Sequence, residues 1–556
     1  MNDVREPQSN DPSRQHRPLG VVMGGSLTGG LEVKLEPEAS VEDIKVGTFI
    51  TVRGEHLHFF GVVTDVSLEA TDPRLRGVPA SLDDPFLTQV LSGTTAYGAI
   101  KVLPMLTISG DAASLELGPQ PAKTVPSHFS RVYPAEDRDI ELVFGREDER
   151  HFYIGNPLDM ETKVCLDLGQ FVQRSNGVFG KSGTGKTFLT RLLLIGLLQK
   201  SEAVNLVFDM HSEYGWSGRD PERRRTVKGL KQLFGSRVAV FSLDEESSRR
   251  RGISPDAVVT IGYDEIEPQD VEILREALNL SEVAADAAYL LQRRFGRREW
   301  VSGFLALEGD QVTELAQELN VNPRALASLH NRLLRLHRLG FVVPQAPDDS
   351  VRRILDYLDR GIHVVLEFGR YGDEDLAYVL VANLLTRRLR EQYVRRVEAS
   401  LQEESRLPRP LVITIEEAHK FLSPAIAAQT IFGTIAREMR KYNVTLLVVD
   451  QRPSAIDSEV MSQLGTKIAC LLDNERDIEA VLAGVSGGRE LRAVLARLES
   501  KQQALVFGHS VPMPLVVRVR EYGTPESYAD LGAPEALEGE ELERRRQREI
   551  DELFGG

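Results

Sequence analysis

The sequence predicts an α/β fold, with a mostly parallel sheet, a small β-rich region before it and a helical segment inside it. Strand and helix patterns alternate from "SNGVFG" onward, which is typical of a parallel sheet. Short apolar runs separated by glycine or charge fill residues 17–120 and favour a small barrel or sandwich. Residues 264–345 are rich in Leu, Ala and Arg and favour helices.

Length, composition and charge narrow the class of protein. The chain of 556 residues allows roughly three to four domains. Two cysteines, Cys165 and Cys470, are too few for a disulfide framework and indicate a reducing cytoplasm. The polar start lacks a signal peptide's apolar stretch, and the longest apolar helix is interrupted by Arg191, so we expect no membrane segment. The net charge of −16 argues against a nucleic-acid coat protein, but local basic loops remain able to bind phosphates.

The elements are assigned to six segments in chain order. The β-rich region holds the runs "LGVVMGG", "LEVKLEP", "TFITVRG", "LHFFGVVTDVSLEA" and "AIKVLPMLTI", and "RDIELVFG" is expected to form a later strand. The strands of the core are "SNGVFG", "AVNLVFDM", "GIHVVLEFG", "PLVITIEE", "NVTLLVVDQRP" and "TKIACLLD". The predicted segments are 1–16, a disordered arm; 17–120, a β-barrel; 121–263, a connector and the first half of the core; 264–345, a helical insert; 346–520, the second half of the core; and 521–556, a helical tail.

One motif carries most of the chemistry. "GKSGTGKT" fits G-x-x-x-x-G-K-[ST], with an apolar strand before it and an apolar helix after it. Its glycines allow the backbone N–H groups to point at phosphates, Lys186 can reach the β- and γ-phosphates, and the hydroxyl of Thr187 can ligate Mg²⁺. The predicted nucleotide-binding residues are Gly180, Lys181, Ser182, Gly183, Thr184, Gly185, Lys186, Thr187 and Phe188.

The sequence around the motif indicates which nucleotide is bound and which fold carries the loop. No guanine-reading N-K-x-D or T-K-x-D stretch follows, which favours ATP. The next acidic strand end lies far downstream, which indicates another strand between the two in the sheet. By analogy at the level of the fold, this is the arrangement of a RecA-like P-loop ATPase core.

Two adjacent glutamates end the strand "LVITIEE". We assign Glu416 to the shell of Mg²⁺, through water, and Glu417 to the general base that polarises the attacking water. Aspartate is commoner at the first position in motor ATPases, and the longer Glu416 favours the outer shell. The alternative is a solvated strand end with two ordinary acids. His419 and Lys420 can relay the nucleotide state to a partner or DNA, although a structural hydrogen bond is at least as good an explanation of His419.

Several segments together resemble the HerA family of hexameric DNA translocases, in its bacterial type, within the FtsK–HerA group. They are "VFDMHSEY", with Asp209, His211, Glu213 and Tyr214 in place, "IEEAHKFL", "IAREMRKYNVTLLVVDQRP" and "ALVFGHSVPMPLVVRVR". The resemblance runs from residue 17 to 556 and is weakest in the helical insert. It implies a homohexamer that moves double-stranded DNA through its pore by ATP hydrolysis.

The resemblance also implies further site residues and a partner. Gln451 would sense the γ-phosphate, unless it is a satisfied polar strand end. Arg437 or Arg440 would act as a finger in a neighbouring subunit, unless both belong to a solvated helix face. The family usually has a glycine between this arginine pair, and Met439 lies there. A nuclease would dock on the barrel: NurA in end resection, or a sirtuin-type or other nuclease effector in antiphage defence.

Two segments are candidates for contact with DNA. "SGRDPERRRTVKGLKQ" offers Arg219, Arg223, Arg224, Arg225 and Lys228, with Tyr214 and Trp216 nearby to stack or pack. The alternative is a solvated helix start. Thr313 to Val342 resembles a helix-turn-helix followed by a strand, for which a packing insert is the favoured alternative.

Three other functions remain open. A ring scaffold or regulator for an effector enzyme would use ATP for assembly with little translocation, and the paired glutamates argue against it. A conjugation-coupling pump normally carries a membrane anchor. A helix-turn-helix regulator with an ATPase switch is the third.

Overall fold

The computed structural model describes residues 17–71, 96–109, 117–220, 225–401 and 407–531. The chain divides into two compact units. The first unit comprises Met1–Leu189 and Val449–Arg520, and the second comprises Thr190–Val448 and Glu521–Gly556. The arm 1–16 and most of the tail, 532–556, lie outside the described residues.

The strands of the described residues are numbered in chain order. They are β1 (Gly20–Ser26), β2 (Gly30–Leu35), β3 (Phe49–Arg53), β4 (Leu57–Ala70), β5 (Ala96–Ser109), β6 (Gln120–Pro121), β7 (Arg131–Pro134), β8 (His151–Pro157), β9 (Val164–Asp167), β10 (Asn176–Phe179), β11 (Val204–Asp209), β12 (Ser217–Asp220), β13 (Arg225–Lys228), β14 (Val238–Ser242), β15 (Ala257–Val258), β16 (Ile261–Gly262), β17 (Val342–Val343), β18 (His363–Glu367), β19 (Leu411–Ile415), β20 (Val444–Asp450), β21 (Thr466–Ala469), β22 (Gln503–Gly508) and β23 (Leu515–Val519).

The α-helices are numbered in the same way. They are α1 (Asp137–Phe144), α2 (Leu168–Phe171), α3 (Lys186–Lys200), α4 (Leu230–Phe234), α5 (Glu245–Arg250), α6 (Pro268–Ile273), α7 (Arg275–Leu278), α8 (Glu282–Phe295), α9 (Trp300–Leu305), α10 (Gly309–Glu318), α11 (Pro323–Leu333), α12 (Ser350–Asp359), α13 (Asp375–Ser400), α14 (His419–Leu422), α15 (Ile431–Glu438), α16 (Ser458–Gln463), α17 (Glu475–Leu482), α18 (Gly488–Ala496) and α19 (Pro525–Asp530).

The first unit begins with an antiparallel sheet in the order β2-β1-β7-β3-β4-β5-β6, in which β5 also pairs with β2. Alternating apolar residues of these strands point to one side and form a core that includes Ile50, Val63 and Val102. The sequence placed the end of this region at residue 120, but β7 adds Arg131–Pro134 to the sheet. The five strand runs predicted before residue 120 are all observed as strands.

One predicted strand is a helix. "RDIELVFG" lies in α1, where Ile140, Val143 and Phe144 are buried. These residues follow the three- and four-residue spacing of a helix face, and the carboxylate of Asp139 accepts the N–H of Glu136 at 2.9 Å at the start of the helix. The cap therefore decided the local structure of a short apolar run that also fits a strand.

The rest of the first unit carries the strand before the phosphate loop. Strand β10 pairs in parallel with β21, and from β21 the order β22, β23, β8, β9 continues with antiparallel pairs. The sequence predicted a mostly parallel sheet, and these antiparallel strands depart from it. The closing segment "ALVFGHSVPMPLVVRV" forms the β22–β23 pair.

The second unit holds a parallel sheet in the order β15-β14-β18-β11-β19-β20. Every residue of β11, β18 and β19 is buried, as expected for strands covered on both faces. Asp209 and Glu367 are register partners at the carboxyl ends of β11 and β18, and Glu416 follows directly after β19. The sheet therefore brings three acids from distant parts of the chain to one edge.

The helical insert lies within the second unit. It contains α6 to α11, and β16 and β17 pair at its two ends. Its core includes Trp300 and Phe304, whose side chains are fully buried. Among the described residues, no helix combines the length and apolar character needed to cross a membrane.

Candidate active site

The phosphate loop follows β10 in the first unit and leads into α3. The Gly180 N–H donates to the Asp450 carbonyl at 3.3 Å, and the Lys181 N–H donates to the Leu471 carbonyl at 3.0 Å. A Cβ at Gly180 would lie 2.7 Å from the Cβ of Cys470, which is closer than side chains allow. The loop is thus anchored to its neighbours, and glycine is required at its first position.

Lys186, the second lysine of the loop, is held against the loop backbone. Its ammonium group donates to the carbonyl of Gly180 at 2.7 Å and to that of Lys181 at 3.0 Å. Thr187 and Phe188 follow in the first turn of α3 and are half-buried. Beneath the loop, burial raises the pKa of the Cys470 thiol to about 11, so this thiol stays protonated.

Gln451 lies in the same unit as the loop. It follows the last residue of β20, Asp450, whose buried carboxylate accepts the N–H of Arg452 at 2.7 Å. Gln451 is half-buried, and its neighbour Asp450 was not singled out from the sequence. The acid fixes the chain's turn directly after the strand, and this turn sets the position of Gln451.

Glu416 is buried at the edge of the second unit's parallel sheet. Its side chain is 8% exposed, and its Oε1 accepts a hydrogen bond from the hydroxyl of Tyr214 at 2.8 Å. Burial, reinforced by the charge of Asp209, raises the pKa of this carboxyl to about 8. Its Oε2 has no hydrogen-bond partner within the described ranges. The carboxyl group of Glu416 is therefore held in place through Oε1, and its Oε2 is available to bind a ligand.

Tyr378 fixes the backbone of Glu416. Its hydroxyl donates to the Glu416 carbonyl at 2.9 Å and accepts the Glu416 N–H at 3.2 Å. Tyr378 is fully buried in α13, and sequence reasoning missed it because a tyrosine in an apolar helix is indistinguishable from ordinary core. The two tyrosines together hold the main chain and the side chain of one glutamate.

Glu417 is partly exposed, unlike Glu416. Its φ of 46° is left-handed, which is unusual for a residue with a side chain. Its side chain is 24% exposed, and its Oε2 lies 3.6 Å from the Nδ1 of His419. Lys420 pairs with Asp375 at 2.5 Å. The adjacent glutamates thus occupy different environments, one buried and one partly open.

Two more acids complete the edge of the sheet. Asp209 accepts the N–H groups of Glu213, Tyr214 and Gly215, and burial raises its pKa. Glu367 is fully buried and pairs with Arg251 at 2.5 Å. Burial and Asp209 raise the pKa of Glu367 to about 7. Sequence reasoning missed Glu367, although "HVVLE" ends in an acid just as "VNLVFD" does.

The proposed finger arginines lie close to the end of α15. Arg437 is half-buried in the last turn of α15, which ends at Glu438. Arg440 lies in the following 3₁₀ turn, Met439–Tyr442, and its side chain is outside the described part of the structure. The two arginines therefore do not share one continuous α-helix.

The basic segment after the second strand is a β-hairpin. Strands β12 and β13 pair from Ser217↔Lys228 to Asp220↔Arg225, so the alternative of a helix start is wrong. Arg223 and Arg224, and the side chains of Arg219 and Arg225, lie outside what the structure describes.

The last residue of the hairpin and the aromatic residues near it make contacts within the protein. Lys228 donates its N–H to the hydroxyl of Tyr528 at 2.9 Å. Tyr214 is fully buried, so of the two predicted alternatives it packs within the protein and does not stack on DNA. Trp216 is half-buried.

The predicted site residues thus fall into two sets. The phosphate loop with Lys186, Thr187 and Gln451 belongs to the first unit. Glu416, Glu417, Arg437 and Arg440 belong to the second.

Known proteins match this chain over most of its length. The family described as "Helicase HerA, central domain" matches residues 152–389. The DNA double-strand break repair helicase HerA of Pyrococcus furiosus is 24% identical over 528 residues, which are 91% of this chain and 92% of that protein. The helicase of the same name from Sulfolobus acidocaldarius is 30% identical over 445 residues, which are 75% of this chain and 77% of that protein. Both relatives are archaeal, so the bacterial type stays a prediction.

Solved structures give weaker likenesses. VirB4 of Thermoanaerobacter pseudethanolicus has 13% identity and a TM-score of 0.43, over 68% of this chain and 99% of that one. The bacterial conjugative coupling protein TrwB, in complex with sulphate, has 12% identity and a TM-score of 0.46, over 70% of this chain and 94% of that one.

Proposed function

The chain belongs to the HerA family of helicases and is an ATP hydrolase, and on this premise we propose that it is a homohexameric translocase of double-stranded DNA. The observation that carries the proposal is the phosphate loop. Gly180 admits no side chain, and the ammonium of Lys186 is fixed at the loop backbone. A loop of this kind binds the phosphates of ATP.

The residues of the first unit bind and orient the nucleotide. In this proposal the loop N–H groups and Lys186 hold the β- and γ-phosphates, and Gln451 contacts the γ-phosphate. The amide side chain of Gln451 carries no charge, so it can report the presence of a phosphate without competing with the lysine.

The paired glutamates of the second unit divide the remaining work. The unused Oε2 of buried Glu416 and the hydroxyl of Thr187 are oxygen donors of the kind that Mg²⁺ prefers. Bound Mg²⁺ would neutralise charge on the phosphates. Glu416 must give up its proton to serve a cation, since its pKa is about 8. Glu417, more exposed, accepts the proton of the attacking water.

Assembly and partners complete the proposal. Arg437 or Arg440 would stabilise transition-state charge in a neighbouring subunit of the ring. DNA would pass through the central pore, and a nuclease would dock on the N-terminal β region. The names of the relatives support a role in DNA double-strand break repair. The location in the cytoplasm and the NurA-like nuclease are parts of the proposal that rest on the resemblance to the family. A sirtuin-type or other effector in antiphage defence is the other partner that we consider.

Displacement of a roadblock from duplex DNA tests translocation. The protein should hydrolyse ATP faster with duplex DNA and displace streptavidin from a biotinylated end. Lys186→Ala should lose both activities, because the loop loses the ammonium group that is proposed to hold the β- and γ-phosphates. Lys163→Ala, a change of an exposed lysine in the same unit, should keep both.

The outcomes separate the site from the motor. Full ATP turnover by Lys186→Ala would overturn the nucleotide site. Lys186-dependent hydrolysis without displacement, together with ATP-dependent ring assembly, would refute translocation and identify a ring scaffold. Mass measurement of the particle should give six copies.

A further inference from the structure

We propose that the helical insert carries a DNA-binding site of its own, a helix-turn-helix in which α11 lies in the major groove of a duplex. The inference goes beyond the proposed translocase, because it requires neither ATP nor a ring. It starts from helices α10 and α11, which the candidate active site does not use.

The connection between the two helices is short and fixed. Helix α10 ends at Glu318 and α11 begins at Pro323, which leaves four residues. Asn320 has a left-handed φ of 54° and donates its N–H to the Gln317 carbonyl at 3.2 Å. The Val321 N–H donates to the Ala316 carbonyl at 2.9 Å. These paired bonds close the helix end tightly, as in the turn of a helix-turn-helix.

The start of α11 is equally well defined. The side chain of Asn322 accepts the N–H of Arg324 at 2.9 Å, and Pro323 occupies the first helical position. Both residues favour a helix beginning at this point. The first turn of α11, which a recognition helix inserts into the groove, therefore has a single local conformation.

One face of α11 is used for packing. Leu326, Leu329 and Leu333 are fully buried, and the helix packs on α8, α9 and α10. The ring of His330 meets that of Phe304 edge-on at 5.1 Å between centroids. The helix is consequently anchored on one side, and its other side is left to solvent.

The solvent-facing side has the chemistry that reads DNA. Arg324 and Asn331 are exposed, and Ser328 and Arg332 are half-exposed. Their spacing of three, four and eight residues keeps them on one side of the helix. Arginine, asparagine and serine are side chains that hydrogen-bond base edges.

The charge of this region is opposite to that of the whole chain. The segment 319–340 contains no Asp or Glu and carries four arginines, whereas the chain has a net charge of −16. Within the described residues, Arg324, Arg332 and Arg338 make no ion pair. An acidic protein that keeps a local cluster of available arginines has a surface suited to phosphates.

A second basic segment lies beside the turn. The end of α8 and the loop after it carry four exposed arginines, namely Arg293, Arg294, Arg297 and Arg298. Arg294 pairs with Glu318 at 2.7 Å, and this contact places the end of α8 next to the end of α10. Arg294 and Arg297 are themselves paired, but Arg293 and Arg298 make no ion pair in the described part of the chain. They are placed to contact the backbone beside a helix in the groove.

A purely structural insert explains only half of this pattern. Packing requires the buried leucines, but it does not require arginines and a short polar row on the opposite side of α11. Docking of an acidic protein would use the arginines, yet it would not require the tight turn followed by small and amide side chains. Duplex DNA accounts for both features.

Duplex binding by the full-length protein tests the proposal. We would measure the fluorescence anisotropy of a labelled 30-base-pair duplex without nucleotide over a range of salt concentrations. The double variant Arg324→Ala/Arg332→Ala should bind about tenfold more weakly, and its salt slope should fall by up to about 2, roughly one for each arginine that neutralises a phosphate. The matched control Arg249→Ala/Arg250→Ala, in α5 of the same unit, removes two exposed arginines and should bind as the parent does.

A crosslink gives a readout that other DNA sites do not mask. Both native cysteines are buried, so a photoreactive label attaches at an introduced Ser328→Cys. This label should crosslink to duplex DNA, and a label at the half-buried control Ser400→Cys should not. The crosslink should persist with Lys186→Ala, so failure of the translocase proposal stays separate. Absence of the Ser328 crosslink, or binding by the double variant equal to the parent's, would overturn the DNA site.

Discussion

The hydrogen bond from Tyr214 to Glu416 should stabilise the second unit measurably, and Tyr214→Phe tests it. The change removes one oxygen from a fully buried ring and alters no apolar contact. The 2.8 Å bond to Oε1 is lost, and the Oε2 of the same carboxyl already has no partner within the described ranges. A buried polar group left unsatisfied costs about 1–3 kcal/mol.

The expected effect is a lower melting temperature. For a domain of this size, each kcal/mol changes the midpoint by about 2 °C, so Tyr214→Phe should melt about 2–6 °C below the parent. The melt is recorded by circular dichroism with EDTA and without nucleotide, so that neither ligand binding nor metal contributes. Tyr393→Phe is the control, because Tyr393 is also a buried residue and its hydroxyl makes no hydrogen bond within the described residues.

A double-mutant cycle isolates the bond from general effects of the substitution. When Glu416→Ala has already removed the acceptor, Tyr214→Phe should cost little, and the coupling energy should be about 1–2 kcal/mol. The reasoning is refuted if Tyr214→Phe melts within 1 °C or so of the parent, or if its cost is undiminished beside Glu416→Ala.

Three further predictions concern the catalytic acids, the trans arginine and pH. Glu417→Gln should bind ATP with near-parental affinity yet turn over at least about a hundredfold more slowly, because a general base typically contributes this much; normal turnover in a phosphate-release assay would move the role to its neighbour. Arg437→Ala mixed with Lys186→Ala should recover part of the ATPase activity that each lacks alone, and verified mixed rings without recovery would exclude a trans role for this arginine. Glu367 has a pKa raised to about 7, so the folded state holds this proton more tightly than the unfolded state does, and stability should fall as pH rises from about 4.5 through 7. Glu367→Gln should reduce that fall in melting temperature between about pH 5 and 8, and Glu416, whose pKa is about 8, should cause the part that remains; an unchanged slope would show that Glu367 does not contribute.

Local signals in the sequence were sufficient for the phosphate loop and most of the strands. The loop is a continuous motif whose glycines, lysine and flanking elements are adjacent in the chain, so its geometry follows from the residues themselves. The 14-residue strand β4, Leu57–Ala70, coincides with the run predicted for it. Such features depend on residues that are neighbours in the sequence, so one amino-acid sequence is enough to predict them.

Long-range pairings were not accessible in the same way. Tyr214 and Glu416 are 202 positions apart, and their bond depends on the order of strands in the parallel sheet. Glu367 reaches the same edge only because β18 pairs with β11 in a register that aligns it with Asp209. An acid at a strand end can be recognised from sequence, but which acids meet depends on the topology.

The left-handed backbone at Glu417 explains why two adjacent glutamates can serve different purposes. In a continuing strand their side chains would point to opposite faces, and one would be buried in the layer of helices beside the sheet. At a φ of 46° the chain leaves that alternation directly after Glu416, and Glu417 becomes partly exposed. A conformation of this kind costs roughly 1–3 kcal/mol and persists only where the surroundings fix it. The two hydrogen bonds of Tyr378 to the main chain of Glu416 provide that constraint one residue earlier. The buried glutamate therefore acts as the anchor from which the exposed one is positioned, and loss of Tyr378 should displace Glu417 although the two side chains share no hydrogen bond in the described structure.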